Sequence, residues 1–291
     1  MVSFPHCKIN LGLHVLGKRA DGYHGLETVF YPLSLKDVLE IIPAEDATPP
    51  IPASAQAAAP FNLIPKGLPI PGDPGTNLCA KAWHLLKKDF PNLPSVDCWL
   101  YKNIPLGAGL GGGSSDGASM LKMLDRKFHL ELGREKLTAY ALQLGSDCPF
   151  FLYDQPCFAT GRGEQLEPIA LDLSGYSIVL VYPGIHIGTA GAFAALRPGI
   201  PEIPPGAPKI PLKELIAQPV SQWRRTLVND FEEPIFRIHP ELQKIKDKLY
   251  GAGAVYASMT GSGSAFYGLF PRGERPLPDP GLFPGYFFRI L

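Results

Sequence analysis

The sequence predicts an α+β protein, and three observations carry that prediction. Strand-like runs lie closer together than βαβ alternation would place them, and helical spacing appears in a few separate windows. The 291 residues suffice for one large domain or two modest ones.

Along the chain, LETVFYPLSL (26–35) is the first strand-like run, rich in β-branched and aromatic residues. NLCAKAWHLLKKDF (77–90) has helical spacing that puts Leu78, Ala82, Leu85 and Leu86 on one face, and DCWLY (97–101) returns to strand. GAGLGGGSSDG (107–117) then runs into a helix on which Gly117, Leu121, Leu124 and Phe128 share a face, with Ser114 or Ser115 as its N-cap. EKLTAYALQL (135–144) aligns Leu137, Tyr140, Ala141 and Leu144 and stops at Gly145. SIVLVYP (177–183), AVYASMT (254–260), SAFYGLF (264–270) and YFFRIL (286–291) read as strands. Between the first two of these, ELQKIKDKLY (241–250) turns Leu242, Ile245 and Leu249 inward, with Gly251 as its C-terminal stop.

Composition narrows the function classes. Twenty-seven basic residues balance 27 acidic ones, so there is no basic stripe for nucleic acid or an anionic membrane. No apolar run reaches the roughly 18 residues of a membrane span, and MVSFPHCKIN lacks a charged start followed by an apolar block, so the expected compartment is the cytoplasm. Five cysteines (Cys7, Cys79, Cys98, Cys148, Cys157) form no CxxC pair and read as buried thiols. Proline is abundant, at 32 residues, and densest in two segments, 47–60 and 197–211, which exclude helix and central strand and read as surface excursions. The expected partner is a small molecule, and the sequence sets no oligomeric state.

The segment 107–117 carries the chemistry. Six glycines in eleven positions deliver bare N–H groups to a helix start, where unpaired donors and the helix dipole favour an anion. A tight structural turn needs glycine too, and the stretch alone leaves that reading open. There is no GxxxxGK[ST], and the GxGxxG has no HRD or DFG companion. The dinucleotide-binding pattern fails as well, because the glycines follow NIPLGAG rather than a buried parallel strand.

PLGAGLGGGSSDGA resembles the second motif of the GHMP kinase superfamily (galactose, homoserine, mevalonate and phosphomevalonate kinases), and CKINLGLHVLGKRADGYHGLETVF and MTGSGSAFYGLF resemble the first and third, in that order. GGGSSD and the KxNLxLxVxGKRxDGYH segment, together with LGSDCPFFL and FATGRGE, narrow the likeness to a branch whose acceptor carries a cytosine base. The resemblance implies a two-domain GHMP kinase fold, with a ribosomal S5 domain 2-like N-terminal domain (1–160), a ferredoxin-like C-terminal domain (161–291) and the active site in the cleft between them. It implies phosphoryl transfer from ATP, with Mg²⁺, to an alcohol.

Residue by residue, Asp147 matches the catalytic aspartate, which holds the hydroxyl and accepts its proton, and Lys8 matches the lysine that puts positive charge by the γ-phosphate. Without the family, Asp147 reads as a turn former and Lys8 as a solvated side chain. Tyr23, His24 and Phe193 fall where the branch stacks on and hydrogen-bonds the base, with Asn10 and Thr189 at the polar end of the substrate. An ordinary loop pair and a core phenylalanine are the plainer readings. Gly107, Gly109, Gly111, Gly112, Gly113, Ser114 and Ser115 line the ATP phosphates; Asn77, Lys102 and Pro105 lie on the adenine side, although Lys102 also reads as a solvated strand end. Mg²⁺ is expected through phosphate oxygens and water, with no protein ligand set assigned and Asp116 the one acidic candidate. Gly261, Ser262 and Gly263 form the third motif, a support for the phosphate loop or a plain hairpin turn.

Cys7, Ser146 and Gly117 depart from the family pattern, the last in place of a common alanine, at an expected cost to the helix of up to about 1 kcal/mol. A homoserine- or mevalonate-type kinase and a non-catalytic nucleotide-binding protein of the same fold are the alternatives. The DGYH segment has no purpose in the former, and retention of both Lys8 and Asp147 argues against the latter.

Overall fold

The computed structural model describes residues 1–20, 22–43, 61–196, 211–273 and 276–291. Asp21 and the proline-rich runs, apart from Pro211, lie outside the described residues. In chain order the strands are β1 (Val2–Ser3), β2 (His6–Lys18), β3 (His24–Lys36), β4 (Val38–Pro43), β5 (Phe61–Gly67), β6 (Val96–Lys102), β7 (Cys157–Thr160), β8 (Gln165–Pro168), β9 (Tyr176–Tyr182), β10 (Tyr256–Met259), β11 (Phe266–Pro271) and β12 (Phe287–Ile290). The helices are α1 (Leu78–Asp89), α2 (Gly112–Phe128), α3 (Gly133–Leu144), α4 (Thr189–Ala195), α5 (Leu212–Ile216), α6 (Val220–Thr226), α7 (Glu232–Ile238) and α8 (Pro240–Gly251). The elements fall into two compact units that interleave along the chain: residues 1–7, 34–106 and 111–154, and residues 8–33, 107–110 and 155–291.

The first unit is built on the sheet β1-β4-β6-β5, in which β5 runs parallel to β6 and the other pairs are antiparallel. Sequence periodicity passes over β5 because it contains Pro65, which an edge strand tolerates since one of its sides needs no N–H donor. Helices α1, α2 and α3 pack against one another. Asn77 caps α1, its side chain accepting from Cys79 N at 2.8 Å. The buried face of α1 is Cys79, Ala82, Trp83 and Leu86, turned by one residue from the predicted stripe because Trp83 buries more area than Leu78 or Leu85. On α3 only Ala141 is buried, and Leu137, Tyr140 and Leu144 are half-buried.

Gly117 receives an explanation the sequence did not offer. A Cβ there would stand 2.8 Å from Leu78 Cβ and 3.3 Å from Leu144 Cδ1, so its absence sets the close approach of α1 to α2. Alanine normally gains about 1 kcal/mol over glycine inside a helix, but overpacking a tight contact costs about 1–3 kcal/mol. Gly117→Ala is therefore expected to lower the midpoint of thermal unfolding, and a higher midpoint would refute the packing account.

The second unit holds two sheets, β2-β3-β7-β8 and β10-β11-β9-β12, the latter antiparallel throughout. In β2, Cys7, Ile9, Leu11, Leu13 and Val15 alternate with Lys8, Asn10, Gly12 and His14, and all of these are buried. That period of two marks a strand, here one whose polar face is enclosed as well. Helices α7 and α8 cover the second sheet through Ile235, Leu242, Ile245 and Leu249 packed on Val179, Ala257 and Phe266. Helix α8 contains Gly251 as its last residue; the left-handed position that ends the turn is Gly253, at φ +101°. Helices α4 to α7 are five to seven residues long, too short for a 3.6-residue period to register. All five cysteines are buried. Among the described residues no helix is long and apolar enough to cross a membrane.

Candidate active site

The glycine-rich segment divides between the units. In the second unit, Gly109 (φ +78°) lies so close to the turn after β10 that a Cβ would sit 2.1 Å from the Thr260 carbonyl. Thr260 Oγ1 donates to the Gly109 carbonyl at 3.2 Å, and Ala265 N donates to the Ala108 carbonyl at 3.1 Å. The third motif therefore braces the loop rather than forming a plain hairpin turn. Asn229 fixes that turn from below, donating to the carbonyls of Met259 and Gly261, both at 2.8 Å. Gly107 (φ +65°) is pressed against His186, whose Nδ1 would lie 2.2 Å from a Cβ. Neither Asn229 nor His186 stands out in the sequence.

In the first unit the segment opens α2. Its N-cap is Gly111, in the left-handed conformation, with no side-chain cap. Ser114 and Ser115 lie within the first turn, so the predicted serine cap is replaced by a glycine one; Ser115 N instead closes the first helical bond, to the Gly111 carbonyl at 2.9 Å. The N–H groups of Gly112, Gly113 and Ser114 belong to the first turn, which has no acceptor within the helix. A Cβ on Gly113 would meet nothing within 4 Å, so that face of the helix start is open.

Beneath the same helix start, Lys102 Nζ donates to Asp37 Oδ2 and to Asp116 Oδ2, the latter at 2.6 Å. Lys102 is 1% exposed, which rules out a solvated strand end. Asp37 Oδ1 accepts from Asn103 N at 2.6 Å and Ile104 N at 2.9 Å, so the cluster ties β6 and the approach to β4 to the start of α2. Burial pushes the Asp116 carboxyl up to about 8; Lys102 opposes this and Asp37 adds to it. Burial alone would lower the Lys102 ammonium, but Asp116 and Asp37 outweigh it and hold it above the usual lysine value. The cluster therefore favours the ammonium on Lys102 and disfavours a full charge on Asp116. A carboxyl that is buried and whose Oδ2 is engaged by Lys102 is a poor magnesium ligand. Among the described residues Asp116 Oδ1 has no hydrogen-bond partner. Among the described residues no group of three or more His, Cys, Asp or Glu is placed to hold a metal ion. Pro105 is buried and Asn77 half-buried at the head of α1.

Lys8, in β2, is 3% exposed. Its ammonium donates to Asn10 Oδ1 at 2.6 Å and lies 5.0 Å over the Phe30 ring. Asn10 is held in turn: Nδ2 donates to Thr28 Oγ1 at 3.0 Å, its N–H donates to Thr260 Oγ1 at 3.0 Å, and Tyr267 donates to its carbonyl at 2.8 Å. Asn10 thus orients Lys8. The Lys8 N–H donates to the Leu110 carbonyl at 3.0 Å, joining the strand to the glycine loop. Asp147, in the first unit, precedes the 3₁₀ turn Cys148–Leu152 and is half-buried. Its side chain does not cap that turn.

The predicted base-recognition residues lie together in the second unit. His24 and Phe193 are stacked, with centroids 4.6 Å apart and planes 16° from parallel, which leaves no room for a third ring between them. Phe193 is also edge-on to Phe231 at 5.0 Å and half-buried against the core. Tyr23 is 57% exposed, and Thr189, at the start of α4, is exposed.

Comparison with known proteins adds three findings. The GHMP kinases N terminal domain model matches residues 77–155, and the GHMP kinases C terminal model matches residues 212–276. The chain is 48% identical to a 4-diphosphocytidyl-2-C-methyl-D-erythritol kinase of Bacteroides fragilis over 94% of each chain. It is also 48% identical to one of Bacteroides thetaiotaomicron, over 97% of this chain and 96% of that one. A crystal structure of 4-(cytidine 5'-diphospho)-2C-methyl-D-erythritol kinase superposes with a TM-score of 0.74 at 33% identity, over 92% of this chain and 90% of that one. A mevalonate kinase of Methanococcus jannaschii, TM-score 0.68 at 13% identity, shares the fold.

Proposed function

Because the chain belongs to the 4-diphosphocytidyl-2-C-methyl-D-erythritol kinases of the GHMP superfamily, we propose that it phosphorylates the 2-hydroxyl of that cytidyl alcohol with ATP as co-substrate. The reaction is an alcohol phosphorylation in the methylerythritol phosphate route to isoprenoid precursors. Near-full-length identity of 48% to enzymes of this name carries the reading. The two-domain α+β fold is that of the GHMP kinases. We place the boundary between its domains near residue 160, between the stretches matched by the two family models.

In this reading the first-turn donors of α2 and the loop Gly107, Gly109 and Gly111 hold the ATP phosphates. When bound, Mg²⁺ would supply charge neutralisation on those phosphates, and the Ser114 hydroxyl would be the protein oxygen offered to it. Asn77, Pro105 and the main chain beside Lys102 face the adenine side, while the Lys102 side chain supports the loop from beneath. Asp147 orients the acceptor hydroxyl and takes its proton, and Lys8, set by Asn10, places positive charge by the transferred group. Tyr23 and Phe193 stack on the cytosine, His24 reads its edge, and Thr189 contacts the polar remainder.

The decisive experiment is an ATP-consumption assay with the cytidyl-diphosphate erythritol, homoserine and mevalonate side by side. Turnover of the first alone is expected. Turnover of either smaller alcohol with none of the first would overturn the assignment.

A further inference from the structure

Tyr23 is a large aromatic side chain left 57% exposed at the end of a tight turn, in which Arg19 N donates to the Tyr23 carbonyl at 2.7 Å and Gly22 N to the Arg19 carbonyl at 3.1 Å. An exposed tyrosine on a turn samples several rotamers, and fixing it on binding costs affinity. The structure supplies a device against that cost. Arg162, in the turn between β7 and β8, lays its guanidinium over the Tyr23 ring, with Cζ 4.7 Å from the centroid. The guanidinium is itself aimed by Glu164: Nε lies 3.7 Å from Oε1, and the Arg162 N–H donates to Oε2 at 2.5 Å. The Glu164 carboxylate fits where Gly161 has no side chain, since a Cβ there would stand 2.9 Å from both of its oxygens. The turn is anchored beside β3, with Leu26 N donating to the Gly161 carbonyl at 2.8 Å and Thr28 paired with Ala159. Glycine 161, Glu164 and Arg162 thus form a built support whose outermost group is a flat cation on an aromatic face.

We propose that Arg162 is a positioning residue for substrate recognition: held by Glu164, it covers one face of Tyr23 and fixes the ring so that the opposite face receives the cytosine. This rests on the base-stacking reading of Tyr23 above. A phenol ring has two faces, and a planar guanidinium on one polarises and immobilises it without blocking the other. The contribution is a preorganisation effect, so it acts on acceptor affinity and leaves the chemical step alone.

The test is a double-mutant cycle read in steady-state kinetics with the cytidyl-diphosphate erythritol, together with calorimetric titration of cytidine diphosphate as a binding probe. Arg162→Met is expected to raise the acceptor KM about two- to five-fold, the range of an exposed cation–π contact. It should leave kcat and the ATP KM unchanged, weaken cytidine diphosphate binding by a similar factor, and be partly rescued by Arg162→Lys. In a Tyr23→Ala background, Arg162→Met should add nothing. An unchanged acceptor KM in the single variant would overturn the proposal. So would an equal loss in the Tyr23→Ala background, which would mean that the guanidinium touches the substrate itself, most simply its diphosphate. A parallel loss for ATP would reduce Arg162 to a general structural role and overturn it too. Wild-type enzyme that turns over another alcohol but not this acceptor would defeat the functional assignment instead, so the two failures are distinguishable.

Discussion

Asp147→Asn is expected to cut kcat by about 10²- to 10⁴-fold, the range of a positioned general base, with both KM values held near wild type. The substitution is a sharp probe because asparagine keeps the size of the side chain and one acceptor oxygen. The carboxylate does not cap the 3₁₀ turn Cys148–Leu152, whose bond from Phe150 N goes to the main-chain carbonyl of Asp147 at 3.2 Å, so that bond survives the substitution. What asparagine loses is the ability to take a proton and to complement positive charge near the transferred phosphoryl group. The transition state of phosphoryl transfer is loose, and the hydroxyl proton leaves late, so orientation by the surviving oxygen preserves part of the rate. The position of the loss within the range then reports how the work is shared between alignment and proton transfer. Turnover within a few-fold of wild type would defeat the assignment of Asp147 as base. A parallel rise of the acceptor KM would instead make it a binding group.

The parts of this molecule legible in its sequence are those whose physics is local. The glycine segment, the DGYH turn and the aromatic strands of the second unit each lie within a dozen residues and carry a composition that few other structures need. The helices α1, α2 and α8 were legible for the same reason, since one apolar stripe suffices to mark each. What escaped reading was whatever depends on partners distant in sequence. Lys102 looked like a solvated strand end because Asp37 lies 65 residues before it. That Asn10 is held by Thr260 could not be read locally, because Thr260, which bonds its main chain, lies 250 residues on. Gly117 looked like a helix defect until Leu78 was seen to occupy the space of its missing methyl. Local rules also misplaced two helix ends. Ser114 and Gly251 are good cap residues by type, yet a glycine stands near each, and Gly111 and Gly253 take the left-handed conformations at those ends. Where several residues can punctuate a helix, the packing of the adjoining loop decides.

Lys102→Met is expected to be strongly destabilising at the start of α2. Lys102 is buried between Asp37 and Asp116, so removing its ammonium leaves two enclosed carboxyl groups facing each other, an error that typically costs about 3–5 kcal/mol. Asp37 cannot turn away, because its other oxygen accepts from Asn103 N and Ile104 N. The strain is relieved by protonation of Asp116, whose carboxyl burial already pushes up to about 8 with the lysine in place. The sign of the pH dependence follows. A carboxyl whose folded value lies above its unfolded value of 3.8 stabilises the fold fully below 3.8 and loses that contribution as pH rises through the folded value, about 8 in the wild type. Without the ammonium, the main influence opposing that rise is gone, so the folded value climbs and the loss extends to higher pH. Thermal unfolding measured from pH 5 to pH 10 should therefore show a steady gap between Lys102→Met and wild type at the acid end that widens as pH rises through about 8. Adding Asp116→Asn should recover part of the stability and flatten the profile, since one carboxyl is then neutral at every pH. In the function proposed above the effect reaches the nucleotide as well, because a Cβ on Gly112 would lie 2.8 Å from Ile104 Cγ2 and 3.4 Å from Lys102 Nζ, so the ammonium is part of the floor under the first turn of α2. Where the variant stays folded, its ATP KM should rise while the acceptor KM holds. A Lys102→Met protein within about 1 kcal/mol of wild type at pH 8 would show that the buried carboxyl groups do not need their cation.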